Sequence, residues 1–193
     1  MNQEEFNKFW EINYPESYPI GHELKSVYPN RWLRIHSLPE SKRYAETDND
    51  YQIILERQNQ LISDLFEENT EIIVSFGLYE TELTKQDSKE RTEFGEFEKS
   101  KTLDLHKIRT KEYEEDSFYD VYFKSDIWKK NSKNEILKAI ADDEFRAIFI
   151  SPKQKCIVAP YDGGMDIIAN TQEKRDELKT KYKDWLSERE DGL

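Results

Sequence analysis

The chain has 193 residues, 36% hydrophobic and 36% charged, with 6 Gly, 6 Pro, 10 Phe, 11 Tyr and 4 Trp. This composition excludes collagen-like, low-complexity and coiled-coil chains, while the aromatics supply enough buriable surface for a core. A net charge of −12 repels polyanions and so argues against nucleic acid and anionic membrane as partners.

In chain order, Phe6, Phe9, Trp10 and Ile12 form a short helical stripe over residues 4–12, broken by Pro15, Pro19 and Gly21. The run Arg31–Leu38 alternates, with Arg34 and His36 on one face and Leu33 and Ile35 on the other, which predicts a strand that Pro39 ends. A helix is predicted over 48–67: Thr47 and Asp50 make a capping box, and Tyr51, Ile54, Leu55, Gln58, Leu61, Ile62, Leu65 and Phe66 share one face. Residues 71–79 read as an interior strand. Residues 80–117 hold twelve acidic and eight basic positions, so they are expected to be a solvated excursion with a short strand at Thr102–Ile108.

Strand character resumes at 118–123. Ser132 and Glu135 suggest a capped short helix facing inward through Ile136, Leu137 and Ile140. Residues 145–150 and 155–159 flank a Ser151-Pro152-Lys153-Gln154 turn, and a turn at Asp162-Gly163-Gly164 leads to a third strand at 165–169. Asn170 and Glu173 cap a closing helix with Leu178, Tyr182, Trp185 and Leu186 inward. Tight turns between strands predict a single α+β domain with a largely antiparallel sheet and helices packed on it.

No apolar run approaches the roughly 18–20 residues of a membrane span. The opening residues are acidic and aromatic rather than signal-like, so the expected location is cytoplasmic. Cys156, the only cysteine, sits in a strand-like run as an apolar packer. His22, His36 and His106 form no HxH, HxxxH or HExxH pair, so no metal and no cofactor is expected. A GxSxG elbow is also lacking.

Two segments carry candidate chemistry. Residues 31–43 hold Arg31, Arg34, Lys42 and Arg43 against Glu40 alone, with His36 among them. Paired guanidiniums suit phosphate or carboxylate; equally, these bases can pair with the protein's own acids, such as Glu46, Asp48 and Asp50. The second segment is Pro160-Tyr161-Asp162-Gly163-Gly164-Met165-Asp166. Its adjacent glycines permit positive φ and close backbone approach, and Asp162 and Asp166 can act as ligands or simply belong to a turn.

The chain resembles a group of small bacterial cytosolic proteins of unknown function, through Arg34–Tyr44 (RIHSLPESKRY), Ala141–Glu144 (ADDE), Pro160–Asp166 (PYDGGMD) and Asp184–Ser187 (DWLS). That resemblance implies one bacterial domain and supplies no catalytic residue. Taken together, the charge and the missing catalytic constellation favour a non-catalytic interaction protein, immunity-like or adaptor, that binds a basic protein partner. The alternative is a domain that binds or hydrolyses a small anionic ligand such as a phosphate ester, using Arg31, Arg34, His36 and Arg43 with Asp162 or Asp166 opposite.

Overall fold

A strand whose consecutive side chains are all apolar, as in Ile72-Ile73-Val74, is satisfied only when both of its faces are covered. That requirement sets the architecture. The computed structural model describes residues 1–80 and 89–187. In order they form α1 (Gln3–Asn13), α2 (Leu24–Val27), β1 (Trp32–His36), α3 (Asp48–Leu65), β2 (Glu71–Tyr79), β3 (Lys89–Thr92), β4 (Gly95–Asp104), α4 (Leu105–Ile108), β5 (Phe118–Ile127), α5 (Asn134–Ala141), β6 (Ile148–Ser151), β7 (Cys156–Tyr161), β8 (Gly164–Ile168) and α6 (Gln172–Lys181).

The eight strands make one sheet in the order β1-β8-β7-β6-β2-β5-β4-β3. Every neighbouring pair is antiparallel, so the fold is α+β, as the tight turns implied. Helices cover both faces. On one, Val74, Phe149, Val158 and Ile167 pack with Leu61 and Ile62 of α3, Leu137 and Ile140 of α5 and Leu178 of α6. On the other, Ile73, Val121, Phe123 and Ile157 meet Phe6 and Trp10 of α1 and Leu24 of α2.

Local signals explain most element ends. Thr47 Oγ1 accepts from the Asp50 N–H while the Asp50 carboxylate accepts from the Thr47 N–H, so the capping box at α3 is complete. The Glu46 N–H, then the Lys42 ammonium and the Thr47 bonds, hold the Asp50 carboxyl down at about 2. Gln58, the one polar member of the α3 stripe, is fully buried and donates to Ser37 Oγ. Two other caps differ from expectation. The N-cap of α5 is Lys133, because Ser132 Oγ instead donates to the Lys129 carbonyl. At α6 Thr171, one residue after Asn170, accepts the capping bond from the Lys174 N–H. Ile12, placed in the α1 stripe by spacing, is 67% exposed; it falls on the helix's outer side.

The charged stretch is the largest departure. Residues 81–88 of the expected excursion lie outside the described residues, but 89–108 hold β3, β4 and α4. The short strand expected at Thr102–Ile108 is instead the end of β4 followed by the α4 turn. β4 runs along β5 from Glu98 to Asp104 and buries Phe97 and Leu103. Charge masked this strand because its polar members are matched individually: Lys99 pairs with the buried Asp120 at 2.7 Å, and Thr102 donates to the same carboxylate at 2.6 Å. A bulge at Ser100 also breaks the period-2 pattern.

Candidate functional site

The two segments singled out by sequence meet because β1 pairs with β8, which sets Arg34 opposite Asp166 and His36 opposite Gly164. Arg34 Nε and Nη2 donate to the two Asp166 oxygens, each at 2.8 Å, and Trp32 Nε1 donates to Oδ1 at 2.9 Å. Alternation along β1 puts Trp32 and Arg34 on the same face, so both reach one carboxylate. Beyond the strand, Leu38 is buried and the chain passes through two successive left-handed residues, Glu40 and Ser41, both at φ 55°. Lys42 then pairs with Glu46 and Asp50, and Arg43 Nε donates to Asp162 Oδ2 at 2.7 Å.

The glycines of the β7–β8 turn serve close approach and not unusual φ. Among the described glycines only Gly95 has a positive φ. A Cβ on Gly164 would lie 2.2 Å from the Ile35 carbonyl oxygen, so a side chain there would force the β1–β8 pair apart.

Arg34, Arg43, Asp162 and Asp166 all line one cleft of about 550 Å³, a size within the roughly 300–1,000 Å³ usual for small-molecule sites. Gly77 and Tyr79 of β2 and Tyr119 of β5 line it too, and Ile148 and Ala159 contribute apolar surface. The Tyr119 ring lies over Gly77, where any Cβ would fall 2.1 Å from it. At the rim Arg146 pairs with Asp143 at 3.0 Å. Three Arg–Asp pairs therefore border the cleft. In each the cation is the more exposed member: 16% against 7% for Arg34–Asp166, 65% against 5% for Arg43–Asp162, and 84% against 51% for Arg146–Asp143.

Burial pushes the Tyr161 and Tyr119 phenols up to about 12 each, with Arg34 opposing this at Tyr161 and the neighbouring tyrosines adding to it at Tyr119. Both stay neutral hydrogen-bond donors at ordinary pH. The Arg34 guanidinium stacks on Tyr161 at 4.9 Å, and that of Arg43 on Tyr44 at 5.2 Å.

Two of the sequence candidates are not brought to the cleft. Arg31 donates to the Ala169 carbonyl at 2.6 Å and stacks over Tyr14 and Tyr28, a structural clamp at the start of β1. His36 lies outside the lining; burial first, then Arg34 and Arg57, pushes its imidazole pKa down. The expected internal pairing holds for Lys42, which takes Glu46 and Asp50, and also for Arg34 and Arg43, whose acids are Asp166 and Asp162 in place of the nearer ones of α3. Conversely, sequence reasoning missed Arg146, Tyr79, Tyr119 and Gly77. A glycine inside an otherwise apolar strand was the usable signal for the last, because it marks a close approach.

No group of three or more His, Cys, Asp or Glu among the described residues is arranged to hold a metal ion. Cys156 is buried, and that burial pushes its thiol up to about 12. No helix among the described residues is long and apolar enough to cross a membrane. No curated protein and no solved structure matches the chain. A family model described as "Domain of unknown function (DUF3885)" matches residues 20–190, a span that takes in both Arg34–Arg43 and Asp162–Asp166, and the chain belongs to that family.

Proposed function

We propose that this protein binds a small anionic ligand, phosphate- or carboxylate-bearing, in the cleft bordered by Arg34, Arg43 and Arg146. The observation that carries this reading is the order of exposure within the three Arg–Asp pairs. Counted by residues, the three pairs cancel. Counted by what a solute can reach, the lining is cationic, because Asp162 and Asp166 lie behind their guanidiniums. The buried Asp162 carboxylate holds Arg43 in a fixed orientation and leaves its outer edge for an anion. Arg43 fits this role best: it spends Nε on Asp162 and has no protein partner for its terminal nitrogens among the described residues.

The net charge of −12 still suits a basic protein partner. Local geometry outweighs that global field here, since a ligand inside a cleft responds to the groups within a few ångströms. Binding, with no chemical step, is what the residues support.

The test is a titration with inorganic phosphate followed by backbone amide shifts, comparing the native chain with Arg43→Ala. Shifts confined to 31–45, 143–147 and 160–166, with affinity reduced about tenfold or more in the variant, are expected from the loss of a charged hydrogen-bond donor. Equal affinity in the two proteins would defeat the reading.

A further inference from the structure

The anion end accounts for only part of the cleft. Its remaining lining is aromatic, and it holds polar groups that the protein leaves unmatched. The hydroxyls of Tyr119 and Tyr161 make no hydrogen bond to protein among the described residues, although both rings are largely covered and both phenols are kept protonated by burial. These hydroxyls open to the cleft, so they take their partner from solvent or from a ligand. Tyr79 stands edge-on to Tyr119, ring centroids 5.4 Å apart, and is 59% exposed at the same cleft. An exposed ring beside a pocket offers a stacking face. Gly77 completes the arrangement by letting the Tyr119 ring lie against the sheet.

We infer that the cleft takes a monophosphate ester carried on a flat aromatic or heteroaromatic body, its anion on Arg43 and its body against Tyr79 and Tyr119. This rests on the anion-binding reading and goes further by assigning the rest of the ligand. A bare phosphate in about 550 Å³ would leave the tyrosines untouched. A body with acceptor atoms satisfies the two hydroxyls, and its flat face has Tyr79 to meet. An aryl phosphate and a nucleoside monophosphate share this chemistry.

The experiment compares four probes by calorimetric titration: inorganic phosphate, phenyl phosphate, adenosine monophosphate and adenosine. Phenyl phosphate and adenosine monophosphate are expected to bind at least about tenfold more tightly than inorganic phosphate, and adenosine more weakly than its monophosphate. The larger gain of the two identifies the body that fits. Tyr119→Phe and Tyr161→Phe keep the rings and should weaken adenosine monophosphate about three- to tenfold each, the worth of one hydrogen bond, and by more than they weaken inorganic phosphate. Thermal melts of both variants check folding, and Gly77→Ala, which displaces the Tyr119 ring, should abolish the gain of the ring-bearing probes over phosphate. If phosphate binds but neither ring-bearing probe binds more tightly, the aromatic-body assignment falls and anion binding stands. If adenosine matches its monophosphate, the assignment also falls. If none of the four binds, both readings fall together.

Discussion

Arg34 and Asp166 face each other across the β1–β8 ladder and close a two-bond guanidinium–carboxylate pair, 2.8 Å on each arm. Trp32 Nε1 adds a third donor to that carboxylate at 2.9 Å. Because the pair lies across an edge strand, it ties β1 to the sheet as well as orienting a cleft guanidinium. Asp166→Ala removes the acceptor for both donors and leaves a half-buried cation. The expected cost is about 3 kcal/mol, the low end for breaking a buried pair because Arg34 retains some solvent. That corresponds to a fall in melting temperature of about 6–12 °C for a chain of this size. Arg34→Ala should cost at least as much, since it strands the more buried Asp166 carboxylate with Trp32 as its remaining donor from the pair's cluster. Calorimetry of both single variants and the double variant gives the coupling directly, and additive effects would show that the pair is not a unit.

Gly163 and Gly164 are adjacent but not equivalent. At Gly164 a new Cβ meets backbone, the Ile35 carbonyl oxygen at 2.2 Å; at Gly163 it meets the Tyr161 ring at 3.1 Å and Arg43 Cγ at 3.5 Å, both of which can move. Gly164→Ala is therefore expected to destabilise by about 1–3 kcal/mol or more, the range for overpacking, while Gly163→Ala stays within about 1 kcal/mol. Thermal denaturation of the two variants checks the order. A Gly163 variant as damaged as the Gly164 variant would mean that backbone conformation, not contact, dictates the pair.

Tyrosine titration should split in two. Burial raises the phenols of Tyr119 and Tyr161 to about 12, and raises those of Tyr14 and Tyr182 further. A folded-state pKa above the unfolded value contributes stability that is complete below pH 10 and lost as pH climbs from 10 toward 12. The melting temperature should accordingly fall across that window. Tyrosine difference absorbance should show these phenols lagging, then ionising together as the chain unfolds. A single smooth titration centred near the unperturbed value would contradict this.

Cys156 Sγ lies 3.8 Å from the Leu65 carbonyl oxygen with its thiol pushed up to about 12, chiefly by burial. A thiol reagent at neutral pH should modify no cysteine in the native protein and one per chain in denaturant. Prompt reaction of the native protein would place the thiol at an accessible surface.

What the amino-acid order alone determined was local. The α3 capping box at Thr47 and Asp50, the alternation of Leu33 and Ile35 against Arg34 and His36, and the meander of three strands expected over 145–169 all rest on neighbours within a few positions. Backbone geometry enforces those relations before any long-range contact forms. The α+β class with antiparallel pairing followed from the same tight turns. Tertiary structure decided what depends on partners far apart in sequence. Charge hid β4, since Lys99 counts as solvated until Asp120 is seen beneath it. The choice of Arg34 and Arg43 for Asp166 and Asp162, over the nearer acids of α3, is a consequence of β1 adding to the edge at β8. The cleft was least legible of all. Its residues come from the segment before α2, β1 and the loop after it, β2, β5, α5 and the segment after it, β6, β7, β8 and the β7–β8 turn, and no one-dimensional pattern brings Gly77, Tyr119, Arg146 and Asp162 together. Only the strand order of the sheet does that, because a cavity is made by elements that meet in space without being neighbours in the chain.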